Sequence, residues 1–176
     1  SPCVDASTFS MRVYFSPKQF SQPRLLEKID YLLYETGLQA HNLKLEITES
    51  ALIENTATAS NLLSALKARN IRLSIDDFGT GYSSFSYLHN FPLDTLKIDR
   101  SFTQRLGKPG NQGEIVKAII NLAHNLNMEV IAEGVETRTQ QELLQKLECE
   151  YGQGYYFARP LSAQQAEKLL DSCPVW

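Results

Sequence analysis

A parallel β-sheet flanked by helices and curling toward a (β/α) barrel is the fold class this sequence predicts. Three observations carry the prediction. Strand-like runs alternate with helical periodicity along the whole chain. Acidic residues recur where one apolar run after another ends. No phosphate-binding GxGxxG follows the first strand, so an open dinucleotide-binding sheet is disfavoured.

The units read in order. "MRVYFS" alternates as a strand, and "PRLLEKIDYLLYETG" has apolar residues at helical spacing with Gly37 as its stop. "LKLEIT" is the second strand, followed by a helix over Thr56 to Arg69; "IRLSID" is the third, with a shorter helix after Ser83. "TLKID" precedes the helical "EIVKAIINLAHNLN", and "MEVIAEG" precedes "TRTQQELLQKLE". "YGQGYYF" reads as a sixth strand and "SAQQAEKLLD" as its helix. Tyr155, Tyr156 and Phe157 are expected in the core or the barrel wall. Six strand–helix units fall short of the eight a closed barrel needs. The sheet is therefore expected to be incomplete, with the whole of 1–176 forming one domain. Its open edges predict self-association, or cover by the segment "SPCVDASTFSM".

Composition excludes several classes. With 43% hydrophobic and 21% charged residues, the 176-residue chain is an ordinary globular one. A net charge of −3 gives no electrostatic reason to expect DNA as a partner. No apolar run approaches the length of a membrane span. Cys3, Cys149 and Cys173 are odd in number and lack zinc spacing, which points to a reducing cytoplasm. His41, His89 and His124 show no ligand spacing and are read as structural or surface residues.

The polar residues at the strand ends are the candidates for chemistry. Glu46 and Glu49 end the second strand, Asp76 and Asp77 the third, Lys97 and Asp99 the fourth, and Glu133 with Glu136 the fifth; Gln153 opens the sixth. Adjacent carboxylates such as Asp76 and Asp77 repel, and burying them is costly without a cation or donors. Carboxylates from several strand ends on one rim would suit a divalent cation that prefers oxygen: magnesium, manganese or calcium. Each motif also has a plain structural reading, "DD" before "FG" as a capped turn and Lys97 as a snorkelling edge residue.

"LKLEITES", "LSIDDFGTGYSSFSYLHNFPLDTLKIDRSF", "IVKAIINLAHNLNMEVIAEGVET" and "YGQGYYFARPL" closely resemble the EAL family of cyclic-di-GMP phosphodiesterases, from about Val13 to Leu170. The resemblance implies a modified TIM barrel with one antiparallel strand, incomplete here at its N-terminal end, with residues 1–12 atypical. It also implies hydrolysis of one phosphodiester of cyclic-di-GMP to the linear dinucleotide, using two divalent ions, Mg2+ or Mn2+. Residue by residue, Glu46, Asp76 and Glu133 match metal ligands, and Asp77 matches a ligand of the second metal. Lys97 matches the lysine that activates water or stabilises negative charge. Glu49 matches the glutamate holding the loop "DFGTGYSS", and Gln153 a residue lining the site beside substrate. Glu136 is expected to support the loop after Glu133, and Asp99 either to orient Lys97 or to cap the segment after it. A homodimer and fusion to sensor domains are further implications.

Two departures bear on activity. No Glu-Ala-Leu motif precedes Val13, and the family's "VNLS" strand reads "VYFS", with Tyr14 at the position of a metal-binding asparagine. A phenol is a poor ligand beside an amide carbonyl. Impaired hydrolysis is the expectation, and a non-catalytic module that senses cyclic-di-GMP or binds another protein is the alternative.

Overall fold

The computed structural model describes residues 10–20, 22–54, 56–79, 88–108 and 112–172. Six strands form one parallel sheet whose spatial order is the chain order: β1 (Met11–Phe15), β2 (Leu43–Thr48), β3 (Arg72–Phe78), β4 (Thr95–Ile98), β5 (Glu129–Glu133) and β6 (Tyr151–Gln153). This is an incomplete barrel of the predicted kind. Helices join the strands: α1 (Pro17–Phe20), α2 (Leu25–Thr36), α3 (Glu49–Glu54), α4 (Thr56–Lys67), α5 (Arg100–Thr103), α6 (Gln112–Asn125), α7 (Arg138–Lys146) and α8 (Ala163–Asp171). A helix after Ser83, the cover expected from the N-terminal segment, Cys3 and Cys173 lie outside the described residues.

Alternation along the strands divides the sheet into two unlike faces. Leu45 and Ile47 of β2, Leu73 and Ile75 of β3, Leu96 and Ile98 of β4, and Val130 and Ala132 of β5 are buried in the core. There they meet Leu63 and Leu66 of α4 and Val116, Ile120 and Ala123 of α6. The residues between them are polar except for Ile131 of β5: Lys44 and Glu46, Ser74 and Asp76, Thr95 and Lys97, with Glu129 and Glu133 on either side of Ile131. Register pairs such as Glu46 with Ser74, Ser74 with Thr95 and Glu133 with Gln153 put these on the concave side. Closed barrels fill that side with branched apolar side chains. Here it is largely polar, so the chain commits its interior to charge rather than to packing.

Local chemistry explains where helices start and stop. α2 ends at Gly37, whose left-handed φ of 68° suits glycine. α7 and α8 both open with a capping box, Thr137 with Gln140 and Ser162 with Gln165. The stretch "YGQGYYF" departs from expectation. Only Tyr151–Gln153 is strand, so Gln153 closes β6 instead of opening it. The glycines on either side explain this, because the backbone of Gly154 lies against that of Val135, with no room for a Cβ, and turns the chain away. Tyr156 and Phe157 then pack at the edge of the core, whereas Tyr155 is exposed beneath Arg159.

Candidate functional site

One amine organises the site. Lys97 on β4 is buried, and its Nζ lies 2.9 Å from Glu46 Oε2, 2.9 Å from Asp76 Oδ1 and 2.8 Å from Glu133 Oε1. Strands β2, β3 and β5 each contribute one of these carboxylates. Burial alone would push the Lys97 ammonium down; hydrogen bonds to Glu133, Asp76 and Glu46 more than reverse this and hold it above the usual lysine range. Burial raises the Glu133 carboxyl, and the charges of Asp76 and Glu46 add to that, against the opposing pull of Lys97.

A bulge in β3 brings a fourth carboxylate. Ile75 pairs with Leu96 and Phe78 with Ile98, so Asp76 and Asp77 together stand opposite the single residue Lys97. Asp77 adopts the left-handed φ of 54°, and its N–H donates to Asp76 Oδ1 at 3.1 Å. Strict alternation would send neighbouring aspartates to opposite faces; the bulge keeps both on the concave rim. Carboxylate oxygens of Asp76, Asp77 and Glu133 lie within 4.8 Å of one another. Burial, followed by the charges of Asp76 and Asp99, raises the Asp77 carboxyl despite Lys97 and Arg100. An all-oxygen, anionic donor set of this size fits a hard divalent cation.

The surrounding residues hold this rim in place. Glu49, the first residue of α3, is buried and accepts from Gly79 N–H at 3.3 Å, tying α3 to the turn after Asp77. Gly79 has a φ of 93°, and a Cβ there would strike the Phe102 ring. Beyond Gly79, residues 80–87, which include the rest of the "DFGTGYSS" loop, lie outside the described residues. Asp99 caps α5, accepting from Ser101 N–H at 2.9 Å. Glu136 is exposed and accepts from Gln104 at 3.5 Å, apart from the Lys97 cluster. Gln153 lies beside Glu133 in register and accepts from Arg12 of β1 at 3.3 Å. Tyr14 pairs in register with Glu46 but is 52% exposed, so about half of its surface faces solvent and not the carboxylates. His41 and His89 are exposed, and His124 meets Glu150 at 2.8 Å.

One positioning residue escaped the sequence reading. The buried Gln140 side chain accepts from the N–H groups of Glu136 and Thr137 and donates to Thr103 O at 3.2 Å. It thereby joins the loop after Glu133 to the helix after Lys97. The T-x-x-Q spacing at Thr137 was the available signal, since it marks a capping box.

Comparison with known proteins then decides the family. The EAL domain model matches residues 5–160. The chain belongs to the EAL domain family. Among characterised relatives of this EAL domain, cyclic di-GMP phosphodiesterase NbdA of Pseudomonas aeruginosa is 45% identical over 146 residues, covering 83% of this chain and 19% of NbdA. The MucR phosphodiesterase, solved in complex with cyclic-di-GMP, superposes with a TM-score of 0.87 at 38% identity, over 92% of this chain and 65% of that one. BlrP1 of Klebsiella pneumoniae, solved with manganese and cyclic-di-GMP, gives 0.80 at 30% identity, over 86% and 39%. The chain spans about a fifth to a quarter of the length of the curated relatives it matches.

Proposed function

We propose that this EAL module acts on cyclic-di-GMP, the family reaction being addition of water across one P–O bond to give the linear dinucleotide. Glu46, Asp76, Asp77 and Glu133 would hold one or two Mg2+ or Mn2+ ions. Such an ion, when bound, lowers the pKa of water and polarises the phosphoryl oxygen. Lys97 supplies a permanent positive charge beside the reacting phosphate and keeps three carboxylates from repelling one another. Glu49 fixes the turn that carries Asp77. Gln153 lines the substrate side next to Glu133, while Glu136 and Asp99 steady the flanking segments. The observation that carries the reading is the convergence of Glu46, Asp76 and Glu133 on one buried ammonium, with Asp77 added by the bulge.

The chain by itself is proposed to turn over slowly. Tyr14, beside Glu46, offers a phenol where the family has an amide ligand, and the sequence contains no Glu-Ala-Leu. A second reading, a module that binds cyclic-di-GMP without cleaving it, rests on the same two departures. The module is also proposed to be a single domain of a longer, sensor-linked cytoplasmic protein, working as a homodimer. The test is conversion of cyclic-di-GMP with manganese present, alongside equilibrium dialysis of the nucleotide and with Lys97→Ala as background. Slow turnover abolished in Lys97→Ala supports the enzyme; binding with no turnover above that background supports the sensor. Neither binding nor turnover would refute both.

A further inference from the structure

Below the carboxylates, toward the N-terminal ends of the strands, the concave face reverses its charge. Arg12 pairs in register with Lys44, and Lys44 with Arg72, so three basic side chains stand in a row across β1, β2 and β3. Lys44 is 9% exposed, whereas Arg12 and Arg72 beside it are exposed. Among the described residues none of the three makes an ion pair, although Arg12 donates one hydrogen bond to Gln153 Oε1 at 3.3 Å. The acids nearest to Lys44 have other partners. Asp94 bonds Lys67 and the Leu73 N–H, and Glu129 meets the Tyr151 hydroxyl at 3.4 Å. The Lys44 ammonium instead stands 5.9 Å from the centre of the Tyr151 ring.

A second, independent observation points to the same place. Ser74 comes two residues after Arg72 on the same face, is 2% exposed, and its hydroxyl has no hydrogen-bond partner. Buried hydroxyls are rarely left so. Lys44 is 9% exposed as a residue; desolvation and the charges of Arg12 and Arg72 weigh against its ammonium and outweigh the opposing charges of Glu129 and Asp94. One small acceptor carrying negative charge and several oxygens would serve both the basic row and the unpartnered hydroxyl. Two guanidinium forks at the margin suit such a group, since they bind tetrahedral oxyanions through paired N–H donors.

We infer that Lys44, Arg72 and Ser74, with Arg12 alongside them, form an oxyanion site of phosphate class on the floor of the partial barrel, below the carboxylate rim. The site is electrostatically distinct from the proposed reaction centre and needs no divalent cation, so it stands or falls apart from the phosphodiesterase reading.

The probe is inorganic phosphate, titrated into the metal-free chain at constant ionic strength with chloride as the balancing salt. Binding is followed by calorimetry and by the NMR signals of the Lys44 side chain. The expected result is saturable binding at a stoichiometry of one, weakened about tenfold or more in Lys44→Met and in Arg72→Gln, as befits loss of a charged hydrogen bond. Arg138→Gln, on the outer helix α7, should bind as the unaltered chain does. Methionine matches the lysine stem in shape and removes a buried charge, so the variant should fold. A phosphate-dependent rise in Tm should be present in the unaltered chain and absent in Lys44→Met. Non-saturating titration, or a Lys44→Met variant that binds phosphate as tightly as the unaltered chain, would overturn the site.

Discussion

The four inner strands and the two outer ones obey different rules. In β2 to β5 both faces are spoken for: one is packed under helices, and the other carries charges that meet one another at Lys97. In β1, Met11, Val13 and Tyr14 are all exposed, and every residue of β6 is exposed as well. The outer strands therefore gain little from burial and are held mainly by backbone pairing to one neighbour. Arrangement of the site reflects this division. Glu46, Asp76, Lys97 and Glu133 stand on inner strands, where a side chain is fixed by its surroundings. Tyr14 and Gln153, which pair in register with Glu46 and Glu133, stand on outer strands, where substitution costs the fold least.

The sharpest way to break this contrast is to remove the charge at its centre. Lys97→Met should destabilise the metal-free chain by about 3–5 kcal/mol in urea unfolding, because three partly buried carboxylates lose their shared partner. Lowering the pH should narrow that deficit, since protonating Glu133, whose carboxyl is already raised, removes one of the repelling charges. An unchanged unfolding midpoint would show that the cluster contributes nothing to stability. Next in size is packing. Ile47→Ala on β2, with no exposed surface to start from, should cost about 2–5 kcal/mol.

A pH effect of intermediate size belongs to the seam between inner and outer strands. Burial pushes the Cys149 thiol from the ordinary 9.0 up to about 11, and the charge of Glu150 adds to it. Between these values the unfolded chain gives up a proton that the folded chain keeps, so stability falls as pH rises from 9.0 toward 11. In a Cys3→Ser, Cys173→Ser background, Cys149→Ala should lack this slope, the difference reaching about 2–3 kcal/mol near the upper end. Equal slopes in the two proteins would put the titration elsewhere. The smallest effect should come from the outer face of β1, where Val13→Ala is expected to stay within about 0.5 kcal/mol.

Much of this was legible in the sequence because each signal was local. "LKLEIT" is β2 from its first residue to its last, and "EIVKAIINLAHNLN" falls within or just beyond α6, since alternation and helical spacing are short-range patterns. That acids gather at strand ends was legible for the same reason. What could not be read was geometry set by more than one strand. The β3 bulge exists only against β4, and without it Asp77 would point away from Asp76. Glu49 was placed at the end of a strand but opens a short helix, because its carboxylate is drawn to the Gly79 N–H thirty residues on. The early end of β6 depends on the Val135 backbone pressed against Gly154, which no local pattern announces. The basic row under the carboxylates was missed because Arg12, Lys44 and Arg72 become neighbours only through register.

The strand order has a consequence for how such a chain is made. Because β1 to β6 line up in the order of their synthesis, each new strand emerging from a ribosome finds its partner already present. Among the six described strands none must wait for one encoded later, and none has to be inserted between two that have already paired. Arg12 of β1 and Gln153 of β6, 141 positions apart, can meet only once the sixth strand is in place. That contact would report, in a refolding or arrested-translation experiment, the moment at which the sixth strand has docked.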